Sequence, residues 1–293
     1  MKFTKMHGLG NDYVYVNCFE ETVSDPAELA RMMCDRHTGV GGDGLILIGP
    51  SDTADARMRI FNADGSEAEM CGNGLRCVAK YTYEHQLAPA GAPFSIPGQD
   101  TVAFNASLKI QTGNGVLTVG LSTGPSNQVV QICVNMGVPI LTPDDIPVLL
   151  TSETAINESI EVNGQTMKMT CVSMGNPHAV LFVDQVDQID LAGLGVKIET
   201  HDLFPNRINV HFVEVLSPTE LKMRTWERGS GITMACGTGA CACGVAAVLN
   251  DKGARTCTTH LPGGDLVLNW NDIDDHVYMT GPAVEVFTGN WPG

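Results

Sequence analysis

Short apolar runs separated by glycine-rich turns set the pattern of the chain. In the first half "DYVYVNCF" follows a Gly-Asn pair, and "GLILIGP" and "ARMRIFNADG" come after it. Each has the length and the β-branched or aromatic content of a strand. The third run leads into "MCGNGLRCVAKY" (Met70–Tyr81), after which a helix is predicted over residues 74–87. The second half repeats the order. "PHAVLFV", "NVHFVEVL" and "LKMRTWERGS" read as strands, and "ACGTGACACGVAA" opens a helix predicted over 239–250 and ended by Gly253. "SLKIQTGNGVLTVGL" and "GGDLVLNW" follow as hairpin-type strands.

The halves are related by one ungapped offset. Cys236 is the 165th residue after Cys71, and the same offset places Gly72 on Gly237, Gly74 on Gly239, Gly10 on Gly175 and Asn11 on Asn176. It also places Asn62 on Glu227 and Gly44 on Asn209. An internal repeat of this kind predicts two similar domains. Each is expected to be α+β, a curved, mainly antiparallel sheet or barrel around one central helix. The expected boundaries are 1–133 with 281–293 for the first domain and 134–280 for the second. "QVVQICVNMGVPI" and "LTPDDIPVLL" cross between them, and the last strand, "AVEVFTG" (Ala283–Gly289), has no counterpart in the second repeat and is assigned to the first domain. The active site is expected in the cleft between the domains.

Composition narrows the class. The chain has 293 residues, 43% hydrophobic and 17% charged, which fits a folded protein with a substantial core. A net charge of -16 argues against nucleic acid and anionic membranes as partners. No apolar run approaches a membrane span and "MKFTKMHGLGNDY" lacks a signal sequence, so a cytoplasmic protein is expected. There are ten cysteines, with no C-x-x-C and no common zinc spacing. Disulfides and metal are therefore not expected. Cys18, Cys34, Cys133, Cys171 and Cys257 are read as small buried hydrophobes, and Cys77, Cys241 and Cys243 as core-facing residues of their helices.

Cys71 and Cys236 stand apart because each precedes a helix. Unpaired amides and the helix dipole at such an end favour negative charge, which lowers a thiol's pKa and can hold a carboxylate. A pair of such ends, one thiolate and one thiol, suits inversion of a carbon centre: one removes a proton and the other donates one from the opposite face. The amides of Gly72, Asn73, Gly237 and Thr238 could bind the substrate carboxylate. Asn11, Asn62, Asn176, His178, Asn209, Glu227 and Arg228 fall at or beside repeat-equivalent positions. Arg228 suits a second carboxylate and Glu227 an ammonium. His178 is open to a structural or a catalytic role. "GVGGDG" lacks the context of a phosphate loop and reads as a turn.

"KMHGLGNDY", "DRHTGVGGDG", "FNADGSEAEMCGNG", "MGNPHAV", "FPNRINV", "WERGSGITMACGTGACA", "LPGG" and "YMTGPAVEVF" resemble the diaminopimelate epimerase family, in order and over nearly the whole chain. The resemblance implies a cofactor-independent epimerase that interconverts LL- and meso-2,6-diaminopimelate on the route to lysine. It implies acid/base roles for Cys71 and Cys236, support of catalysis by His178 and Glu227, and substrate binding by Asn11, Asn62, Gly72, Asn73, Asn176, Asn209, Glu227, Arg228, Gly237 and Thr238. It also implies a homodimer, with Phe287 at the position of an interface tyrosine. Gly44 stands where many members have a glutamine, and Ile232 where an acidic residue is common. Two alternatives remain at this point: a proline or histidine racemase on the same scaffold, disfavoured by Asn73 where proline-type enzymes have histidine, and a cysteine-rich metal or redox module.

Overall fold

The computed structural model describes residues 1–68, 70–99 and 104–292. Its contacts divide the chain into two units, Met1–Asn135 with Thr280–Gly293, and Met136–Met279.

The first unit begins with β1 (Lys2–Gly8), β2 (Asn11–Asn17), α1 (Pro26–Cys34), β3 (Gly44–Gly49), β4 (Ala56–Asn62), β5 (Glu67–Ala68) and α2 (Gly72–Glu84). It continues with β6 (Ala106–Thr112), β7 (Gly115–Thr123) and β8 (Val129–Asn135). Most neighbours are antiparallel, but β2 runs parallel to β3 and β4 parallel to β6. A parallel pair needs a crossover, and a helix provides each one: α1 between β2 and β3, α2 between β4 and β6. Both helices pack on the sheet, which explains why "GLILIG" is apolar throughout. Leu45, Leu47 and Phe61 join Leu29, Ala30 and Met33 of α1 in one cluster. The alternate residues Ile46, Ile48 and Ile60 are fully buried and point the other way, towards the side of α2.

The second unit repeats this plan with β9 (Glu158–Val162), β10 (Gln165–Ser173), β11 (Pro177–Phe182), α3 (Leu191–Glu199), β12 (Asn209–Ser217), β13 (Glu220–Glu227), β14 (Gly231–Thr233), α4 (Gly237–Leu249), β15 (Thr256–Leu261) and β16 (Gly264–Trp270). β11 and β12 are parallel across α3, and β13 and β15 across α4. β17 (Val277–Gly281) runs through the boundary between the units, and β18 (Val284–Asn290) returns to pair antiparallel with β1.

Several expectations change. Helices α1 and α3 were not anticipated; Asp25 and Asp190 cap them, accepting from Glu28 N and Gly193 N. α2 and α4 start two residues earlier than expected, because Cys71 and Cys236 themselves are the N-cap residues. They also stop earlier. Gln86 and Asp251 take left-handed backbone (φ 55° and 56°), and Leu87 N and Lys252 N donate to Thr82 O and Ala247 O. This is a Schellman ending, so Gly253 is not the stop. The last strand does have a counterpart: β9 pairs with β10 as β18 pairs with β1. The difference is that β9 precedes its partner in sequence, whereas β18 comes from the far end of the chain. Cys18 is only half-buried, unlike Cys34, Cys133, Cys171 and Cys257.

Candidate active site

In the first unit the sheet presents a row of residues beneath the N-terminus of α2: Tyr13 pairs with Gly44, and Gly44 with Asn62. A Cβ on Gly44 would lie 2.3 Å from the Phe61 carbonyl oxygen and 2.9 Å from the Tyr13 ring, so this backbone leaves no room for a side chain there. Above the row, Cys71 accepts a hydrogen bond from Gly74 N at 3.4 Å. Its Sγ lies 3.5 Å from Asn11 Oδ1, and the Tyr13 hydroxyl is 3.7 Å from Sγ. Asn73 Nδ2 also donates to Asn11 Oδ1, at 3.2 Å. Asn11 is oriented from the other end, where its Nδ2 donates to Asp43 at 2.7 Å. Asp43 is in turn held by Arg36, which also bridges Asp12. Fully buried Arg76 donates to Asn73 Oδ1 and to Pro282 O. Cys71, Asn11 and Asn73 thus form one group, with Gly72 in the first turn of α2. Asn62 is exposed and donates to Ser66 Oγ at 3.0 Å within its own turn.

The second unit builds an equivalent row with different chemistry. His178 pairs with Asn209 in the parallel ladder. Asn209 Nδ2 donates to Pro177 O, and its Oδ1 accepts from Arg228 N at 3.0 Å. The Arg228 guanidinium is exposed and donates to Asn206 O at 2.9 Å. Glu227 accepts from the Thr233 hydroxyl. Buried Glu199, at the end of α3, accepts from Trp226 Nε1 and Gly229 N and so pins both sides of the Glu227-Arg228 pair. Cys236 is buried at the N-cap of α4, with Thr238 Oγ1 3.8 Å from its Sγ and Gly237 in the first turn.

Burial pushes the Cys236 thiol well above its ordinary value, and the negative charge of Glu227 adds to this. The amide of Gly239 and the Thr238 hydroxyl pull the other way and lose. The expected lowering by the helix end is therefore overridden at this cysteine, which stays protonated near neutral pH. Burial also pushes the Tyr13 phenol well up, with Cys71 as the second cause, so Tyr13 remains a hydrogen-bond donor.

Sequence reasoning missed His211 and Thr225. The His211 ring is fully buried between His178 and Thr225, with Nε2 2.8 Å from His178 Nδ1 and Nδ1 3.0 Å from Thr225 Oγ1. His178 Nε2 lies 2.9 Å from Asn176 Oδ1. The signal was a histidine inside "NVHFVEV" at the position that holds Ile46 in the first half. His178, His211 and Cys236 bring ligand atoms within 4.8 Å of one another. All four ring nitrogens already have hydrogen-bond partners in this unit, so a metal would have to break that network.

A sequence model of the diaminopimelate epimerase family matches residues 3–141 and 170–286. The chain belongs to the diaminopimelate epimerase family. This is a family of isomerases that work without pyridoxal phosphate. The chain is similar to the diaminopimelate epimerase of Acetivibrio thermocellus, 52% identical over 99% of this chain and 98% of the relative. It is also similar to the diaminopimelate epimerase of Methanococcus maripaludis, 46% identical over 99% of each chain. Among solved structures it resembles a PhzF-family phenazine biosynthesis protein of Bacillus anthracis (TM-score 0.70, 16% identity, 99% and 98% of the two chains). It also resembles a probable proline racemase of Agrobacterium radiobacter (TM-score 0.66, 13% identity, 99% and 92%). These two share the fold. No helix among the described residues is long and apolar enough to cross a membrane.

The buried groups of this epimerase-family chain set its stability against pH. Burial holds the His211 imidazole down to about 3, and burial with its neighbours holds His178 well below the ordinary value of 6.5. An unfolded chain would take up protons below 6.5 that these rings refuse, so stability is lost as pH falls through that range. Burial pushes Cys34, Cys77 and Cys257 up to about 11 and Cys133 and Cys171 up to about 12, from 9.0. Above 9.0 the unfolded chain gives up thiol protons that the folded one keeps, so stability is lost as pH rises. Urea unfolding across the pH range is expected to show a plateau between these limits and a decline on each side.

Proposed function

We propose that the chain interconverts LL- and meso-2,6-diaminopimelate, on the route to lysine, by two-base proton transfer between Cys71 and Cys236. The observation that carries this reading is that both cysteines are N-cap residues of helices at the same position of a repeated unit, each with an amide or imidazole beside its thiol. Inversion needs one group to take the α-proton and a second to return one to the other face. Protonated Cys236 suits the donor role in the resting enzyme, and Cys71, beside the Tyr13 hydroxyl and Gly74 N, suits the acceptor. On the return reaction the roles exchange. His178 and Glu227 support Cys236.

The amides of Gly72, Asn73, Gly237 and Thr238 serve the α-carboxylate as negative charge develops. Asn11, Asn62, Asn176 and Asn209 bind polar atoms of the substrate, and the Glu227-Arg228 pair takes its charged far end. The names carried by the relatives favour diaminopimelate over proline. Two cysteines suffice for the chemistry, and no cofactor is required. The test is turnover of LL-diaminopimelate without added cofactor, beside a panel containing proline. Activity on proline alone would overturn the reading.

We also place the protein in the cytoplasm as a homodimer through β18, on which Val284, Val286 and Phe287 are exposed. Phe287 meets Phe3 edge-on at 6.1 Å and so belongs to a firm surface. Phe287→Asp is expected to shift a dimer towards monomer in light scattering. An unchanged mass would remove Phe287 from the interface.

A further inference from the structure

The histidine pair in the second unit has no equivalent in the first, where the matching positions hold Tyr13 and Ile46. Alternation along β12 explains its placement. Val210 and Phe212 join the cluster that contains Leu191 and Ile198 of α3, so His211 faces the opposite side, towards α4. There it meets the turn that carries Cys236. A Cβ on Gly239 would fall 2.3 Å from His211 Cε1 and 3.0 Å from Cys236 Sγ.

With Asn176 Oδ1 facing the His178 ring, the hydrogen bonds around this pair allow one arrangement of protons. Asn176 Oδ1 can only accept, so His178 Nε2, 2.9 Å away, carries a proton. In a neutral imidazole the other nitrogen is then the acceptor. His178 Nδ1 must therefore accept from His211 Nε2 at 2.8 Å. His211 Nδ1 is in turn an acceptor, and the Thr225 hydroxyl at 3.0 Å donates to it. Full burial keeps both rings neutral, as this arrangement requires. The result is a directed chain from Thr225 through His211 and His178 to Asn176.

We propose that His211 is a positioning residue of the epimerase site: its Nε2–H donates to His178 Nδ1 and, together with Asn176 Oδ1 on the other nitrogen, fixes the tautomer of His178, which holds Asn176 by its carbonyl and leaves that amide's Nδ2 to donate to substrate. The same ring seats the Cys236 turn. The inference rests on the epimerase reading for its functional consequence and on the hydrogen-bond geometry for the tautomer.

Three variants test it in the full-length chain. His211→Phe keeps a ring of similar shape but has no donor. His211→Gln loses the ring but can place an N–H where Nε2 was. Thr225→Val removes only the hydroxyl at the head of the chain. Positioning predicts that Phe lowers kcat/KM for LL-diaminopimelate about 10- to 100-fold, whereas Gln stays within about 5-fold of wild type. A role limited to packing predicts the opposite order. Nitrogen-15 NMR of the unliganded protein reads the tautomer without reference to activity. Wild type is expected to show His178 protonated on Nε2 alone, and His211→Phe a mixture of tautomers. Thr225→Val is expected to give mixed protonation on His211 and decides the matter if His211→Phe does not fold. Phe outperforming Gln, or a His178 tautomer unmoved by either His211→Phe or Thr225→Val, overturns the proposal. A wild type without epimerase activity but with the expected tautomers refutes the functional reading and leaves the positioning geometry standing.

Discussion

Alanine at Cys71, and separately at Cys236, is expected to lower turnover of LL-diaminopimelate by at least about 10³-fold, in the range that removal of a positioned acid or base produces. Among the described residues, the polar groups near Cys71 include the amides of Asn11 and Asn73 and the phenol of Tyr13, whose proton is held tightly by burial. Around Cys236 they include Thr238, the Glu227 carboxylate that accepts from Thr233, and two imidazoles already committed to hydrogen bonds. Both variants should stay folded, since a cysteine side chain removed at a helix N-cap leaves only a small void. Turnover assays with circular dichroism as the folding control make the check. Near-normal turnover by either variant would refute the two-thiol mechanism.

The next largest effect is expected at Gly239, and it should differ from that at the repeat-equivalent Gly74. A Cβ on Gly239 meets His211 Cε1 at 2.3 Å, His211 Nε2 at 2.7 Å and Cys236 Sγ at 3.0 Å. The histidine ring is held at both nitrogens and has nowhere to go. A Cβ on Gly74 meets the tip of Ile46 at 2.6 Å, a methyl that can rotate aside, and Cys71 Sγ at an ordinary 3.7 Å. Gly239→Ala is therefore expected to cost about 2 to 3 kcal/mol of stability as an overpacked site and Gly74→Ala about 1 kcal/mol or less. Because the clash moves the Cys236 turn, Gly239→Ala should also lower kcat about 100-fold. Urea unfolding and turnover of the two variants make the comparison. Equal losses would mean that the two helix ends are seated alike.

The strands and the two cysteine-capped helices were legible because periodicity and the 165-residue offset point to the same residues. The same offset also contained α1 and α3. Asp25, Ala27 and Leu29 recur as Asp190, Ala192 and Leu194, and each aspartate caps its helix. "DPAELARMM" has a cap followed by Pro at the first helical position, a recognisable start. In α3, Gly193 and Gly195 hide the same signal. β9 was missed because it shares only its place in the sheet with β18, a relation that pairing reveals and sequence identity does not. The site residues at identical repeat positions were visible for the same reason that the fold was. His211, Thr225 and Glu199 were not, since they are where the halves diverge and their partners come from separate strands and a helix. The thiol at Cys236 shows a further limit. A helix end alone argues for a lowered pKa, and only the degree of burial reveals that the opposite effect wins.

Conversion of LL-diaminopimelate in D2O, sampled at low conversion, tests the central claim most directly. Two bases that exchange with solvent should give meso product carrying deuterium at the inverted carbon, while recovered LL substrate keeps its protium. Meso product that retains the original α-hydrogen, or LL substrate that acquires deuterium as fast as product forms, would mean that one group both takes and returns the proton, and would contradict the paired action of Cys71 and Cys236.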